Sequence, residues 1–137
     1  MTEAEYELVH RPPDPASYVQ LREEAGLSAR SPGAAHAGLA GTWYGVHVRV
    51  RGRTVAMGRV IGDGGCFFQV VDVAVSPRHQ GKGLGSLVMA ALMEALHERA
   101  PASAQVTLLA DGTAHEFYER CGFRRTAPAS VGMLLQL

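Results

Sequence analysis

Residues 66–75, CFFQVVDVAV, constrain the fold more than any other part of the chain. The run is almost continuously apolar and rich in β-branched side chains, broken only by Gln69 and Asp72, which is the pattern of a central strand covered on both faces. Ser76-Pro77 ends it. From Leu84 onward, Leu87, Val88, Ala91, Leu92, Ala95 and Leu96 recur at helical spacing, predicting a helix that runs to about Ala100 and stops before Pro101. A short buried strand is expected at 106–110. Strand, helix and strand then make a right-handed crossover unit whose two strands lie parallel and adjacent.

Turn signals place the other elements. Residues 5–9 read as a first strand. Pro12, Pro13 and Pro15 hold an extended turn ahead of a short helix over 17–25 that Gly26 closes, and a second helix is expected over 32–39. Residues 43–50 and 54–61 flank Arg51-Gly52 as a β-hairpin, and Asp63-Gly64-Gly65 turns the chain into the central strand. A helix over 113–121 ends at Gly122, and strands are expected at 123–126 and 131–137. With 137 residues the chain has room for one core, giving a single domain over 1–137 of α/β (α+β) class. Its mixed, mostly antiparallel sheet should have about six to seven strands with a central parallel pair, flanked by about four helices.

Composition excludes several functions. Thirteen basic and thirteen acidic side chains cancel, so the basic footprint of a nucleic-acid binder is missing and no nucleic-acid partner is expected. The start, MTEAEYELVH, is acidic where a secretory leader is basic and then apolar, and no run approaches the roughly 18 apolar residues of a membrane span. A cytoplasmic location with no membrane partner is the expectation. Cys66 and Cys121 stand alone without ligand spacing, so neither a metal site nor a disulfide framework is indicated. The apolar end at Met133 to Leu137 could pair across a homodimer.

The segment Arg78-His79-Gln80-Gly81-Lys82-Gly83-Leu84-Gly85 joins the central strand to the amphipathic helix. Its glycines let successive N–H groups converge, and the helix N-terminus adds about half a positive charge, which together suit a phosphate or pyrophosphate. Lys82, the only lysine beside twelve arginines, strengthens that reading. A Walker loop is excluded because Gly83 follows Lys82 where that loop has Ser or Thr. The dinucleotide fingerprint is excluded because Ser86 occupies the place of its third glycine.

Gln80-x-x-Gly83-x-Gly85, preceded by Val73-Ala74-Val75-Ser76-Pro77 and followed by the amphipathic helix, resembles the pyrophosphate-binding motif of the GNAT-type N-acetyltransferase superfamily. Ala114-His115-Glu116-Phe117-Tyr118-Glu119-Arg120-Cys121-Gly122-Phe123 is similar to its second signature, a helix carrying Phe-Tyr and then Gly-Phe. The likeness covers residues 58–126. It implies acetyl-coenzyme A as acyl donor and no metal. The pyrophosphate would be held at Gln80, Gly81, Lys82, Gly83, Leu84, Gly85 and Ser86, and the pantetheine would lie along the backbone of Val73, Ala74 and Val75. Asp111 stands where the superfamily commonly has a cofactor-contacting asparagine.

For catalysis, the resemblance implies Tyr118 as general acid toward the leaving thiolate, with His115 one turn before it as a further cleft residue. His79 flanks the loop. A backbone N–H at Val73 suits the oxyanion, because a preorganised dipole resists reorganisation. By period-two alternation Gln69, Val71, Val73 and Val75 share one face, with Val70, Asp72 and Ala74 on the other. Asp72, the only charge in the strand, requires a partner such as Arg59. Superfamily acceptor pockets are built from the first helices and early strands, pointing to Arg30, Trp43 and Tyr44, with Asp72, as substrate-binding residues. The expected activity is acetyl transfer to the primary amine of a small molecule through a ternary complex. A non-catalytic acyl-coenzyme A-binding module is the alternative, since glutamine at position 69 cannot serve as a base, and a protein or peptide acceptor is a further one.

Overall fold

The computed structural model describes residues 5–137; Met1 to Ala4, part of the segment read as free of a leader, lie outside them. The chain divides into two compact units, one ending at Thr107 and one running from Leu108 to Leu137.

The first unit holds a five-stranded sheet in the order β1 (Glu7–Val9), β2 (Tyr44–Val50), β3 (Arg53–Gly62), β4 (Phe67–Val75), β5 (Gln105–Thr107). The first three pairings are antiparallel and β4–β5 is parallel, as a crossover through a helix requires. Arg51 and Gly52 both take positive φ, 53° and 74°, which a tight two-residue hairpin demands. Helix α1 spans Pro15–Glu24 and starts two residues before the expected position. Pro15 opens the helix rather than prolonging the turn, because a proline at the first helical position forfeits only an N–H that has no partner there, and the Asp14 carboxylate caps Ser17 N–H at 2.9 Å. Helix α2, Pro32–Ala40, repeats the arrangement with Ser31 accepting from Ala34 N–H at 3.1 Å.

Helix α3, Leu84–Arg99, buries Leu84, Val88, Met89, Ala91, Leu92, Ala95 and Leu96; Leu87, expected on that face, is exposed and Met89 is buried instead. It packs so closely on β3 that a Cβ at Gly58 would stand 2.5 Å from Val88 Cγ1 and 3.1 Å from Leu92 Cδ1. Only glycine fits there without moving the helix. On the opposite face Tyr18, Leu21, Ala35 and Leu39 of α1 and α2 pack on Met57 and Ala74. The sheet therefore carries helices on both faces, with Val46, Val48, Val55, Ala56, Met57 and Val60 fully buried between them.

The second unit contains helix α4, Ala114–Arg120, and the segment after it. Gly122, at φ 103°, and Phe123 turn back to donate to the carbonyls of Glu119 and Tyr118 at 3.1 Å each, ending the helix. Two expected strands are absent from the sheet, which accounts for five strands rather than six to seven. Residues 123–126 run into a turn in which Ser130 N–H donates to Thr126 carbonyl at 3.1 Å, and Pro128, joined through a cis peptide, has no N–H to give a ladder. Residues 131–137 alternate like a strand, yet Val131, Met133, Leu134, Leu135 and Leu137 are all exposed, so nothing in the segment obtains the burial that the alternation anticipates. The strand expected at 106–110 ends at Thr107. Among the described residues no helix is long and apolar enough to cross a membrane.

Candidate functional site

The loop after β4 is built to leave N–H groups free. Ser76, buried, donates its N–H to Val55 carbonyl at 2.8 Å and its hydroxyl to the Glu24 carboxylate at 3.3 Å, anchoring the end of the strand. Pro77–His79 forms one 3₁₀ turn closed by His79 N–H on Ser76 carbonyl at 2.9 Å. Gln80 Nε2 then donates to Val75 carbonyl at 3.2 Å, so this side chain, expected at the pyrophosphate, also braces the loop against β4. Gly81 and Gly83 follow at φ 77° and 80°, with no atom within 4 Å of where a Cβ would stand. Backbone direction, not crowding, is what requires glycine at these positions.

Gly83 is the N-cap of α3, and no side chain caps the helix. The first helical bond is Leu87 N–H to Gly83 carbonyl at 3.0 Å, which leaves the N–H groups of Leu84, Gly85 and Ser86 ahead of the ladder. Gln80, Gly81, Lys82, Gly83 and Ser86 are exposed. An uncapped helix N-terminus beside an exposed lysine has the electrostatics that favour an anion, since the unpaired N–H groups and the helix dipole act in the same direction. His79, the neighbour expected to be available to phosphate, is already engaged: its Nδ1 and the Tyr6 hydroxyl are 2.8 Å apart and the rings meet edge to face.

Upstream, β4 is not a regular strand. Met57 pairs with Ala74 and Arg59 with Val71, so Asp72 and Val73 together face the single residue Gly58. This is a β-bulge, with Asp72 at φ 59°. Cross-strand partners share a face. Gln69 and Val71 therefore share the face of Ile61 and Arg59, whereas Val75 shares that of Ala56, and Val73 Cγ2 lies 3.5 Å from the Cβ position of Gly58, toward α3. The expected common face for Gln69, Val71, Val73 and Val75 is corrected here: the extra residue moves Val73 and Val75 to the opposite side.

Asp72 is paired, as a buried carboxylate must be. It forms ion pairs with Arg22 and with Arg59 Nε at 2.8 Å, and accepts from the Tyr18 hydroxyl at 2.9 Å. Burial, with the Asp72 carboxylate adding to it, raises the Tyr18 phenol above its ordinary value. Arg30 joins the same network at one remove, donating to Ser28 Oγ at 2.9 Å, the atom that Arg22 Nη2 also reaches at 3.0 Å. Trp43 packs its ring on Phe68 at 4.7 Å. Tyr44 is turned elsewhere: its hydroxyl meets His10 Nδ1 at 2.8 Å and the Arg99 guanidinium of α3 lies 5.1 Å over its ring. The structure thus gathers Arg30 and Asp72 but gives Tyr44 separate partners. Tyr18 and Arg22 were missed in the sequence, although their spacing of four residues on a short helix places them on one face.

In the second unit, Tyr118 and Asp111 line a cleft of about 540 Å³ together with His115, Phe123 and Arg125. Tyr118 meets Phe117 and Phe123 edge to face at 5.1 and 6.3 Å. Burial, then the neighbouring Cys121 and Asp111, push its phenol above the ordinary value, so it holds its proton at neutral pH. His115 Nδ1 lies 2.8 Å from Glu119 Oε1 and 3.0 Å from Arg125 Nη2, donating to the first or accepting from the second according to its tautomer. Among the described residues no cluster of His, Cys, Asp and Glu could hold a metal ion.

Comparison with known proteins follows the same lines. A family model described as an acetyltransferase (GNAT) domain matches residues 41–125. A solved structure of a probable acetyltransferase from meticillin-resistant Staphylococcus aureus superposes with a TM-score of 0.93 at 37% identity, covering 97% of this chain and 100% of that one. A GNAT family acetyltransferase from Streptococcus pneumoniae TIGR4 shares the fold, with a TM-score of 0.76 at 20% identity over 97% of this chain and 98% of that one. The histone acetyltransferase TAP1 of Glycine max is 33% identical over 81 residues, 59% of this chain and 34% of that protein. The chain spans about a third of the length of the curated relatives it matches.

Proposed function

This chain belongs to the GNAT acetyltransferase family, and we propose that it moves an acetyl group from acetyl-coenzyme A to the primary amine of a small molecule, by direct attack in a ternary complex. The observation that carries this reading is the helix N-terminus at Gly83, open and uncapped, at the end of the glycine loop that follows the bulged strand β4. The residues fit an acyl-coenzyme A. Free N–H groups of residues 81–86, with Lys82, would take the pyrophosphate, and the backbone of Val73, Ala74 and Val75 would take the pantetheine as an added strand. Family likeness across 41–125 spans both compact units and supports reading them as one domain.

Three tasks divide among the residues. Val73 N–H would donate to the acetyl oxygen as charge develops on it, a backbone dipole oriented before the reaction. Tyr118 would donate to the departing thiolate. A phenol of ordinary pKa ~10 facing a thiol of ~8.5 makes full proton transfer uphill by about 2 kcal/mol, and the raised value of Tyr118 adds to that, so its role is hydrogen bonding rather than transfer. Asp72 is consumed by Arg22 and Arg59 and Gln69 cannot ionise, so the amine would lose its proton to solvent. Asp111 would add a polar contact to the donor; Arg30 and Trp43 would contribute to the acceptor side.

A protein acceptor is the second reading, favoured by the likeness to a histone acetyltransferase. Incubating the protein with acetyl-coenzyme A and, separately, a panel of small primary amines and a peptide library decides between them. Thiol release with amines supports the first reading. Acetylated peptides without amine turnover would replace it, and binding without turnover on either would leave a coenzyme A-binding module.

A further inference from the structure

The chemistry above leaves Asp72 unused, yet the chain spends three side chains on it. Its carboxylate is 6% exposed and bound by Arg22, Arg59 and Tyr18. Both arginines reach further: Arg22 Nε donates to Ser28 carbonyl at 2.9 Å, and Arg59 Nη1 to Gly38 carbonyl at 3.1 Å and Thr42 Oγ1 at 2.7 Å. One carboxylate thereby ties α1, the loop after it, the end of α2 and β3 to a single point on β4. No buried side-chain polar atom among the described residues lacks a hydrogen-bond partner.

An ion pair that served only to join helix to sheet could sit on an ordinary extended residue. Asp72 instead occupies φ 59°, a left-handed conformation that L-residues avoid and that Asp tolerates better than most. It is the extra residue of the bulge, and the peptide that follows it carries the Val73 N–H. Direction of that N–H therefore depends on a backbone twist that the three side chains hold in place.

We propose that Asp72 is a positioning residue for acetyl transfer: clamped by Arg22, Arg59 and Tyr18, it holds the β4 bulge left-handed and so fixes the direction of the Val73 N–H. The inference rests on the acyl-donor reading of the preceding section. It predicts that weakening the clamp disturbs the response of Val73 to the acetyl group without weakening the grip of the glycine loop on the pyrophosphate.

The test follows the Val73 amide resonance of ¹⁵N-labelled protein titrated with acetyl-coenzyme A and, separately, with coenzyme A, for the wild type, Tyr18→Phe and Asp72→Ala. In the wild type the Val73 amide should shift differently with the two ligands, reporting contact with the acetyl oxygen. Tyr18→Phe should shrink that difference and Asp72→Ala, which removes the clamp and disfavours positive φ, abolish it, while calorimetric affinity for coenzyme A stays within about threefold, a margin of roughly 0.7 kcal/mol. Tyr18→Phe keeps both ion pairs, so it decides the matter even if Asp72→Ala does not fold. An undiminished Val73 difference in the variants overturns the proposal, as does a parallel loss of coenzyme A affinity, which would make Asp72 a general support of the fold. A wild type that binds neither ligand overturns the acyl-donor reading itself, and the proposal with it.

Discussion

Two substitutions at Gly83 separate folding from binding. At φ 80° a Cβ costs about 1–2 kcal/mol in the left-handed region, and nothing within 4 Å resists it sterically. Gly83→Ala should therefore lose about that much stability, a fall in Tm of roughly 2–8 °C for a domain of this size, with coenzyme A affinity close to wild type because the N–H groups remain open. Gly83→Asp pays the same backbone penalty but supplies a carboxylate at an uncapped N-cap, worth about 0.5–2 kcal/mol to the helix, so its stability should stay near wild type. Binding should suffer instead. A pyrophosphate carrying about two charges at ~5 Å from that carboxylate is repelled by about 1.7 kcal/mol at the dielectric of water and by several times that at an effective value of ~20. Affinity for coenzyme A should drop at least about 20-fold. Calorimetric titration with coenzyme A and thermal denaturation of the three proteins give both quantities. Equal binding by wild type and Gly83→Asp would refute the phosphate cradle and the reasoning that leads to it.

Other expectations are more compact. Gly58→Ala should cost about 1–3 kcal/mol, because Val88 must move for a Cβ to enter, and a chemical denaturation curve unchanged from wild type would contradict the packing described. Tyr118→Phe should lower kcat about 10- to 100-fold at constant KM for acetyl-coenzyme A, the loss of one hydrogen bond to a charged group; an unaltered kcat would remove Tyr118 from the mechanism. His47, buried with Nδ1–H donating to Arg11 carbonyl at 2.7 Å, has its pKa lowered chiefly by burial. The unfolded chain then binds the extra proton first as pH falls, so this contribution is fully present above about 6.5 and declines below it. Urea denaturation between pH 7.5 and 5 should show that decline, and it should be smaller in His47→Gln.

The β4, glycine loop and α3 unit was legible in the sequence because each of its signals is local: a β-branched run, glycines at alternate positions, a helical period. What the sequence did not show is non-local. Asp72 reads as a lone charge in a strand, and the side chains that hold its carboxylate come from Arg22, fifty residues earlier, and Arg59, thirteen earlier, while its left-handed backbone leaves no mark in the alternation. Alternation alone thus put Val73 on the wrong face. At the tail, residues 131–137 show that a two-residue period states only what a segment could bury, not that a neighbour is there to cover it. Tyr118 is singled out only by likeness to a known signature, since its helix is too short for periodicity to do so.

The bulge has a consequence for the reading frame of the strand. On either side of Asp72, β4 keeps a regular two-residue rhythm, but the halves are out of phase with each other. Deleting one residue at this point would bring the two halves into phase and restore an uninterrupted ladder with β3. It would also remove the extra residue after which the chain presents the Val73 N–H, the group proposed to meet the acetyl oxygen. Single-residue deletions at 72 or 73 should therefore cost function through the lost bulge and folding through Arg22 and Arg59, buried side chains that lose the carboxylate pairing them.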